Sequence, residues 1–375
     1  MRKLNRKGTS IMQTNVPAGD ALAVKKWSAE LARDINAKSY WDRRFVGNGE
    51  NSVIQRKTEL ESDAGDRIQF DLSVQLRGRP TVGDERLRGK EEALKFFTDE
   101  IVIDQMRSGV SAGGRMSNKR TIHDLRMVAR DRLGDYWAKY LDELHFIYLS
   151  GARGINEDFY EPVGWTGFAN AIQAPDAAHI IYGGDAASKA TIAAEDKMSV
   201  ELIERACVKA QMMRATDPTT ANMLPVNIMG EKHYVVVMSP FQAHDMRTGT
   251  TATQWLEIQK AAAAAEGRKS PIFRGGLGMV NNAVLHVHEN VIRFSDYGTG
   301  TNLPASRALF LGRQAGACAY GTRGKGMRLD WFEEKEDRGN EIVITAGLIY
   351  GFKKTRFNGH DFGVLTIDTY AKDPN

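Results

Sequence analysis

Cysteine is nearly absent: Cys207 and Cys318 are the only two in 375 residues, far apart and in no paired motif. That leaves neither a disulfide framework nor a cysteine-held zinc site, and it suits a reducing compartment. Long apolar runs are missing too. The longest run of small apolar residues, Ala261 to Ala265, falls far short of the roughly 20 residues a membrane span needs. Neither charge sign dominates: 51 Lys+Arg stand against 47 Asp+Glu, net +4, without the concentrated basic face of a dedicated nucleic-acid binder. The opening "MRKLNRKGTSIM" is basic, but no apolar core follows it, so it is not a secretory leader. Met12 is an alternative start. No internal repeat or low-complexity tract stands out. The remaining composition, 42% apolar and 26% charged, is that of a soluble globular protein. A chain this long can bury a core large enough to need no disulfide or metal staple.

The charge is uneven along the chain. Residues 1–50 hold ten Lys/Arg and five Asp/Glu; residues 51–100 hold nine and eleven. A basic arm beside a slightly acidic segment can steer subunits together, although a mixed solvated surface accounts for either segment alone. A loose apolar stripe (Leu22, Trp27, Leu31, Ile35) suggests a helix around residues 19–37.

The clearest strand is "RIQFDLSVQLRG", where Ile68, Phe70, Leu72, Val74 and Leu76 alternate with polar residues. The breakers Gly78, Pro80, Gly83 and Gly89 follow, and then a second extended stretch, "ALKFFTDEIVID". This predicts a long two-stranded ribbon with a loop of roughly fifteen residues, a length uncommon in compact domains unless it has a task. Such a ribbon is marginal by itself in water and needs another surface, which can belong to another subunit. From about Asn118 to Leu149, apolar residues recur at three to five, with Ser117 or Thr121 placed to cap the start and Gly151 just past the end. At 1.5 Å per residue this predicts a helix of roughly 48 Å, in which Gly134 costs about 1 kcal/mol relative to alanine. Residues 152–200 read as loops with short elements, and Ala187 to Thr216 and Thr251 to Ala265 as helices. "HYVVVMSP", "AVLHVHENVIRF", "EIVITAGLIYGFKK" and "DFGVLTIDTY" read as strands. The class is α+β, without the regular βαβ rhythm of a doubly wound sheet.

Candidate chemistry is thin. Gly109-Val110-Ser111-Ala112-Gly113 has the spacing of a nucleophile elbow, but the lead-in "DQMR" is polar and Gly113-Gly114 delays the helix, which favours a hinge loop. His286 and His288 point to one side of a strand and could share a metal. No third ligand lies at a diagnostic spacing, so polar residues on a half-exposed strand are the better reading. Asp142 and His145 sit one helix turn apart, but the second copy that a di-metal bundle requires is missing; they read as surface or intersubunit polar residues. Nucleotide loops fail as well. Arg268 replaces the glycine before Lys269, no Ser or Thr follows Lys325, and Asn281 stands where a third glycine should follow Gly276 and Gly278. No catalytic, cofactor-binding or metal-binding residue is assigned.

The order of arm, hairpin, long helix, mixed domain and final strands resembles the tailed-phage major capsid proteins of the Hong Kong 97-type fold. Several phrases are similar to the capsid family typified by the N-four phage: "GDALAVKKWSAELARD", "LRGRPTVGDERLRGKEEALKFFTDEIVIDQMR", "MSNKRTIHDLRMVARDRLGDYWAKYLDELHFIYLSG", "SPIFRGGLGMVNNAVLHVHENV", "RALFLGRQAGACAYG" and "GFKKTRFNGHDFGVLTIDTYA". The resemblance implies an N-terminal arm at 1–50, an extended loop at 51–105 and a peripheral domain at 106–205 built on a spine helix at 118–149. An axial domain at 206–340 and return strands at 341–375 would complete the chain. It implies a non-enzymatic major capsid protein, without cofactor, that self-assembles into hexamers and pentamers of an icosahedral head around double-stranded DNA held non-specifically. The partners implied are copies of itself, a scaffolding protein, a portal and a decoration protein, with no membrane. Assembly would take place in the host bacterial cytoplasm and the product would be the virion. The alternatives are an encapsulin-like compartment shell and, from a different class, a metal-dependent hydrolase using His286 and His288.

Overall fold

A computed structural model describes residues 31–61, 65–73, 79–91, 93, 96–122, 124–216, 221–249, 255, 258–260, 270–322 and 329–374. Two sheets and one long helix organise them. The strand Glu341–Lys354 is the axis of a six-stranded sheet. Along one side it pairs antiparallel with Asp104–Gly114; along the other it pairs with Leu329–Glu336 and then with Gly316–Gly321. Ile54–Lys57 runs parallel to Gly316–Gly321, and Val46–Gly47 closes that edge. The alternation of the sequence sets the packing. Ile344, Ala346, Leu348, Tyr350 and Phe352 project into the main core, where they meet Leu133, Trp137, Leu141 and Leu144 of the helix.

The second sheet has eight strands. Its path is Ile180–Tyr182, Val364–Tyr370, Leu303–Leu311, Glu231–Met238, Ala283–Val287 and Gly278–Val280, with Arg293–Tyr297 and Val226–Ile228 at the sides. Its core is filled by Leu202, Ile203, Ala206 and Ala210 of the helix Val200–Thr216, packed on Val236, Met238, Leu285, Phe310 and Ile367. That helix is shorter than the expected Ala187 to Thr216: residues 187–199 are irregular apart from the single turn Lys189–Thr191. The strands of the two sheets interleave along the chain. Gly316–Gly321 and Leu329–Glu336 join Glu341–Lys354, whereas Leu303–Leu311 and Val364–Tyr370 lie side by side in the other sheet.

The long helix runs Leu125–Ser150, 26 residues, or about 39 Å. The expected start at Asn118 is corrected. Arg115–Arg120 forms a separate short helix, and Thr121 is extended. Asp124 then caps the long helix, accepting from the backbone N–H groups of Arg126 at 3.1 Å and Met127 at 3.4 Å. Ile122 has the right spacing for the apolar stripe but is fully exposed, because the break turns it away from the core. The other end is as expected: Gly151 adopts φ +71 and its N–H donates to the Ile147 carbonyl at 2.9 Å. Any β-carbon at Gly151 would fall 2.3 Å from the carbonyl oxygen of Gln173.

Of the expected arm helix, residues 31–38 are helical and the part before residue 31 lies outside the described residues. Of the Thr251 to Ala265 helix, residues 255 and 258–260 are described and helical.

Candidate assembly surfaces

The ribbon is present. Arg67–Ser73 pairs antiparallel with Phe96–Val102, with Ile68 opposite Ile101 and Phe70 opposite Asp99. Its root is fixed to the body. Ile68 and Ile101 join Leu60, Ile103, Ala317 and Ala319 in a small core of their own. Phe70 meets the Phe357 ring edge-on at 6.1 Å, and Lys57 lies over Phe70. Asp99 is buried at the root and accepts from the Lys353 ammonium at 2.5 Å and from the Arg356 N–H at 3.0 Å. Asn170 brackets Val102: its carboxamide oxygen accepts from the Val102 N–H at 3.0 Å, and its Nδ2 donates to the Val102 carbonyl at 2.8 Å and the Phe352 carbonyl at 3.3 Å. Sequence reasoning missed both: Asn170 sits in a loop outside any motif, and Asp99, inside the expected second strand, is buried by partners distant in sequence, Lys353 and Arg356.

Toward the tip this support ends. None of residues 79–91 is buried. Val82 is 70% exposed, Leu87 59% and Phe96 59%, and Gly83 and Gly89 at φ +68 and +89 make the turns. Exposed apolar side chains on a projection with little packing of its own suit contact with another molecule. A second exposed apolar set, Met116, Ile122, Met127 and Phe332, lies near the start of the long helix and on the strand Leu329–Glu336.

The helix itself holds no reaction centre. Asp142 and His145, expected at the surface, are buried. Asp142 accepts from Ser39 Oγ at 2.7 Å, the Tyr40 N–H at 2.8 Å and the Trp41 N–H at 3.2 Å, so it caps the short helix Tyr40–Arg44 from outside. Burial nevertheless pushes its carboxyl up to about 6, against the lowering effect of those three donors. His145 lies between the Leu141 carbonyl, 2.5 Å from Nδ1, and the Tyr350 hydroxyl, 3.1 Å from Nε2. Glu143, also buried, accepts from the N–H groups of Tyr160 at 2.8 Å and Glu161 at 2.9 Å. Asp142 and Glu143 each hold an adjoining segment of the same chain, and His145 meets the strand Glu341–Lys354 through Tyr350. The signal available was the surrounding sequence, since residues 137–150 carry apolar side chains on every face rather than on one stripe.

The other candidates also resolve structurally. Ser111 lies neither on an elbow nor on a hinge loop: it is in the middle of the strand Asp104–Gly114, and its hydroxyl bonds Glu341. His286 is buried, correcting the half-exposed expectation; its Nε2 lies 2.8 Å from the Ile272 carbonyl, and burial lowers its pKa to about 4. His288 packs 4.4 Å from the Tyr40 ring and 4.8 Å from Phe146; burial first, and then Arg44, lowers it to about 4. Among the described residues no group of three or more His, Cys, Asp or Glu is placed to hold a metal ion. Lys269 and Lys325 lie outside the described residues. Gly278 and Asn281 belong to a β-hairpin, with Asn281 at φ +50 in its turn. Cys207 and Cys318 are buried and are not joined in a disulfide. No helix is long and apolar enough to cross a membrane among the described residues.

A stiff body, an anchored ribbon with an exposed apolar tip, and polar groups spent on internal joints are features of a building block. Comparison with known proteins agrees. The phage capsid protein family matches residues 15–373. The major capsid protein of Pseudomonas phage KPP25 is 26% identical over 369 residues, covering 91% of this chain and 93% of its own. The capsid structure of Ralstonia phage GP4 is 64% identical, covers 97% of this chain and 99% of its own, and superposes with a TM-score of 0.86. The cyanophage Pam1 capsid, 21% identical over 89% of this chain and 93% of its own, shares the fold at a TM-score of 0.66. The fold is the α+β Hong Kong 97-type fold of phage heads, and the chain belongs to the phage capsid protein family, as a major capsid protein.

Proposed function

We propose that this subunit assembles into hexamers and pentamers of an icosahedral head enclosing double-stranded DNA, and that its ribbon lies across a neighbouring copy. The observation that carries this reading is the contrast within the ribbon: a root fixed by Asp99, Asn170 and a local core, and a tip where Val82 and Leu87 stay exposed. Obligate interfaces of this kind bury 2,000 Å² or more, and ring symmetry repeats each contact around the capsomer. The mixed charges at the tip, with Lys90 paired to Glu85 at 2.5 Å and both exposed, suit rim contacts worth under about 1 kcal/mol each. Weak repeated contacts let a misplaced subunit leave before the shell closes.

The chain divides, on this reading, into an arm (1–50), an extended loop (51–105), a peripheral domain (106–205), an axial domain (206–340) and return strands (341–375), with strands assigned to a sheet by their pairing. The described part of the arm is built into its own body: Leu31, Ile35, Trp41 and Phe45 are all in the main core. The rest of the arm, residues 1–30, lies outside the described residues. A scaffolding protein, a portal and a decoration protein are the further partners, assembly takes place in the host bacterial cytoplasm, and no catalysis is involved. Surface attraction by the arm is screened beyond about 8–10 Å, so assembly slows as salt rises.

The test is deletion of residues 79–88. The shortened chain is expected to fold with the same circular dichroism and to remain unassembled in sedimentation. Closed shells from the deletion, seen by electron microscopy, would overturn the reading.

A further inference from the structure

We infer that the pocket where the arm meets the second sheet is a binding site for a phosphate group. It encloses about 330 Å³ and is lined by Lys38, Tyr40, Arg43, Arg44, Gly275 and His288 among others, with no carboxylate among the described residues of its wall. Lys38 reaches out to Asp135 at 2.7 Å on the exposed rim. Among the described residues no carboxylate pairs with Arg43 or Arg44.

Arg44 is held in place. Its guanidinium lies 4.9 Å from the Tyr40 ring centroid, an arrangement that fixes the fork and leaves its N–H edge free. Gly275 makes room for it: a β-carbon there would come within 3.3 Å of Nη2, and the backbone is at φ +74. Tyr40, whose ring carries Arg44, is itself almost fully buried and so gives the guanidinium a fixed support. His288, 4.4 Å from the Tyr40 ring, is held neutral by its burial and by Arg44, so it does not compete as a cation.

Arginines in the last turn of Tyr40–Arg44 also favour the helix dipole, but that role is met by side chains directed at solvent and requires no pocket. A tetrahedral oxyanion suits paired guanidinium forks through charge-assisted bonds. The volume admits a phosphodiester with part of its sugar as well as a free ion. The shared chemistry is thus phosphate, and its source is either the backbone of enclosed DNA or free inorganic phosphate. Only the first source rests on the head-subunit reading; the pocket's chemistry does not.

The experiment uses the purified full-length subunit, kept unassembled by dilution, with two probes: a short fluorescent DNA duplex and inorganic phosphate. For R43Q/R44Q the duplex dissociation constant is expected to rise about tenfold or more, with the slope of log affinity against log salt reduced by about 2. The control Arg33→Gln, an exposed arginine of the same arm outside the pocket wall, should leave both unchanged. Protection from thermal unfolding by inorganic phosphate in wild type but not in R43Q/R44Q, with equal duplex binding, assigns the site to free phosphate. The inference is overturned if neither probe distinguishes R43Q/R44Q from wild type, or if R33Q weakens binding as much. Circular dichroism checks folding, and the single Arg43→Gln at the exposed rim supplies the same comparison should the double variant unfold.

Discussion

Asp142, in the middle of the long helix, accepts a hydrogen bond from the backbone N–H of Tyr40 at 2.8 Å, across 102 residues of sequence. That contact, with those from Ser39 and Trp41, fastens the arm to the helix. Asp142→Ala leaves three donors unmet in a buried place and is expected to cost roughly 2–3 kcal/mol, read by urea unfolding of the unassembled subunit. Asp142→Asn keeps one acceptor oxygen and should cost less. The pH dependence has a definite sign. The folded carboxyl holds its proton up to about pH 6, whereas in the unfolded chain it lets go near 3.9. Between those values the folded state binds more protons, so this group's contribution to stability falls as pH rises and levels off above about 6. Asp142→Asn should flatten that slope; an unchanged slope would assign it to another group.

Asn170 holds the ribbon at its root by bonding both backbone groups of Val102. Asn170→Ala should leave the two cores intact and lower subunit stability by only about 1–2 kcal/mol. Its larger effect should be on assembly, because a ribbon with a loosened root must be ordered at the moment it grips a neighbour. The check is light scattering at matched subunit concentration: a longer lag with similar unfolding midpoints is expected. An unchanged lag would mean that Asp99 and the small core hold the ribbon without it.

Gly134 is a helix position where sequence and structure pull apart. Alanine there would gain about 1 kcal/mol in helix propensity, but its β-carbon would come within 3.3 Å of Leu31 Cδ1, a fully buried arm residue. Gly134→Ala is therefore expected to be near neutral in unfolding experiments. Gly134→Leu, too large for the gap, should displace the arm and cost 1–3 kcal/mol or more. A marked gain for the leucine variant would show that the arm is not seated against this face.

What could be read in advance follows from what periodicity encodes. The ribbon, the strand Glu341–Lys354 and the end of the long helix at Gly151 each rest on a period of two, a period of 3.6 or a glycine requirement, and each is present. The start of that helix was misread because Ile122 fits the apolar spacing, while Asp124 competes for the backbone and begins the helix later. Asp142, His145 and His286 were placed too near the surface, because a buried polar residue is defined by partners distant in sequence: Ser39, Tyr350 and Ile272 respectively. The ribbon's apolar tip was also hidden, since Val82 and Leu87 lie among breakers and charges and become visible only as exposed area.

The second sheet is tied to the end of the long helix by one buried cation. Arg307 donates from Nε and Nη2 to the two oxygens of Asp368, both at 2.7 Å, from Nη2 to the Tyr297 hydroxyl at 3.1 Å, and from Nη1 to the Ser150 carbonyl at 3.0 Å. Burial works against the charge, but Asp368 and Tyr297 more than offset it, so the Arg307 pKa is raised. Arg307→Met leaves Asp368 ionised without its cation and the Ser150 carbonyl without its donor; roughly 3–5 kcal/mol of stability should be lost. Replacing both members, R307M/D368L, removes the stranded charge as well, and most of that loss should return. A residue of about 1 kcal/mol should remain, because the Tyr297 hydroxyl, 2.6 Å from Asp368, then loses its acceptor. Unfolding of the two single variants and the double closes the cycle. If the double variant is as unstable as R307M, the pair's worth lies in joining sheet to helix through Ser150 rather than in neutralising a buried carboxylate.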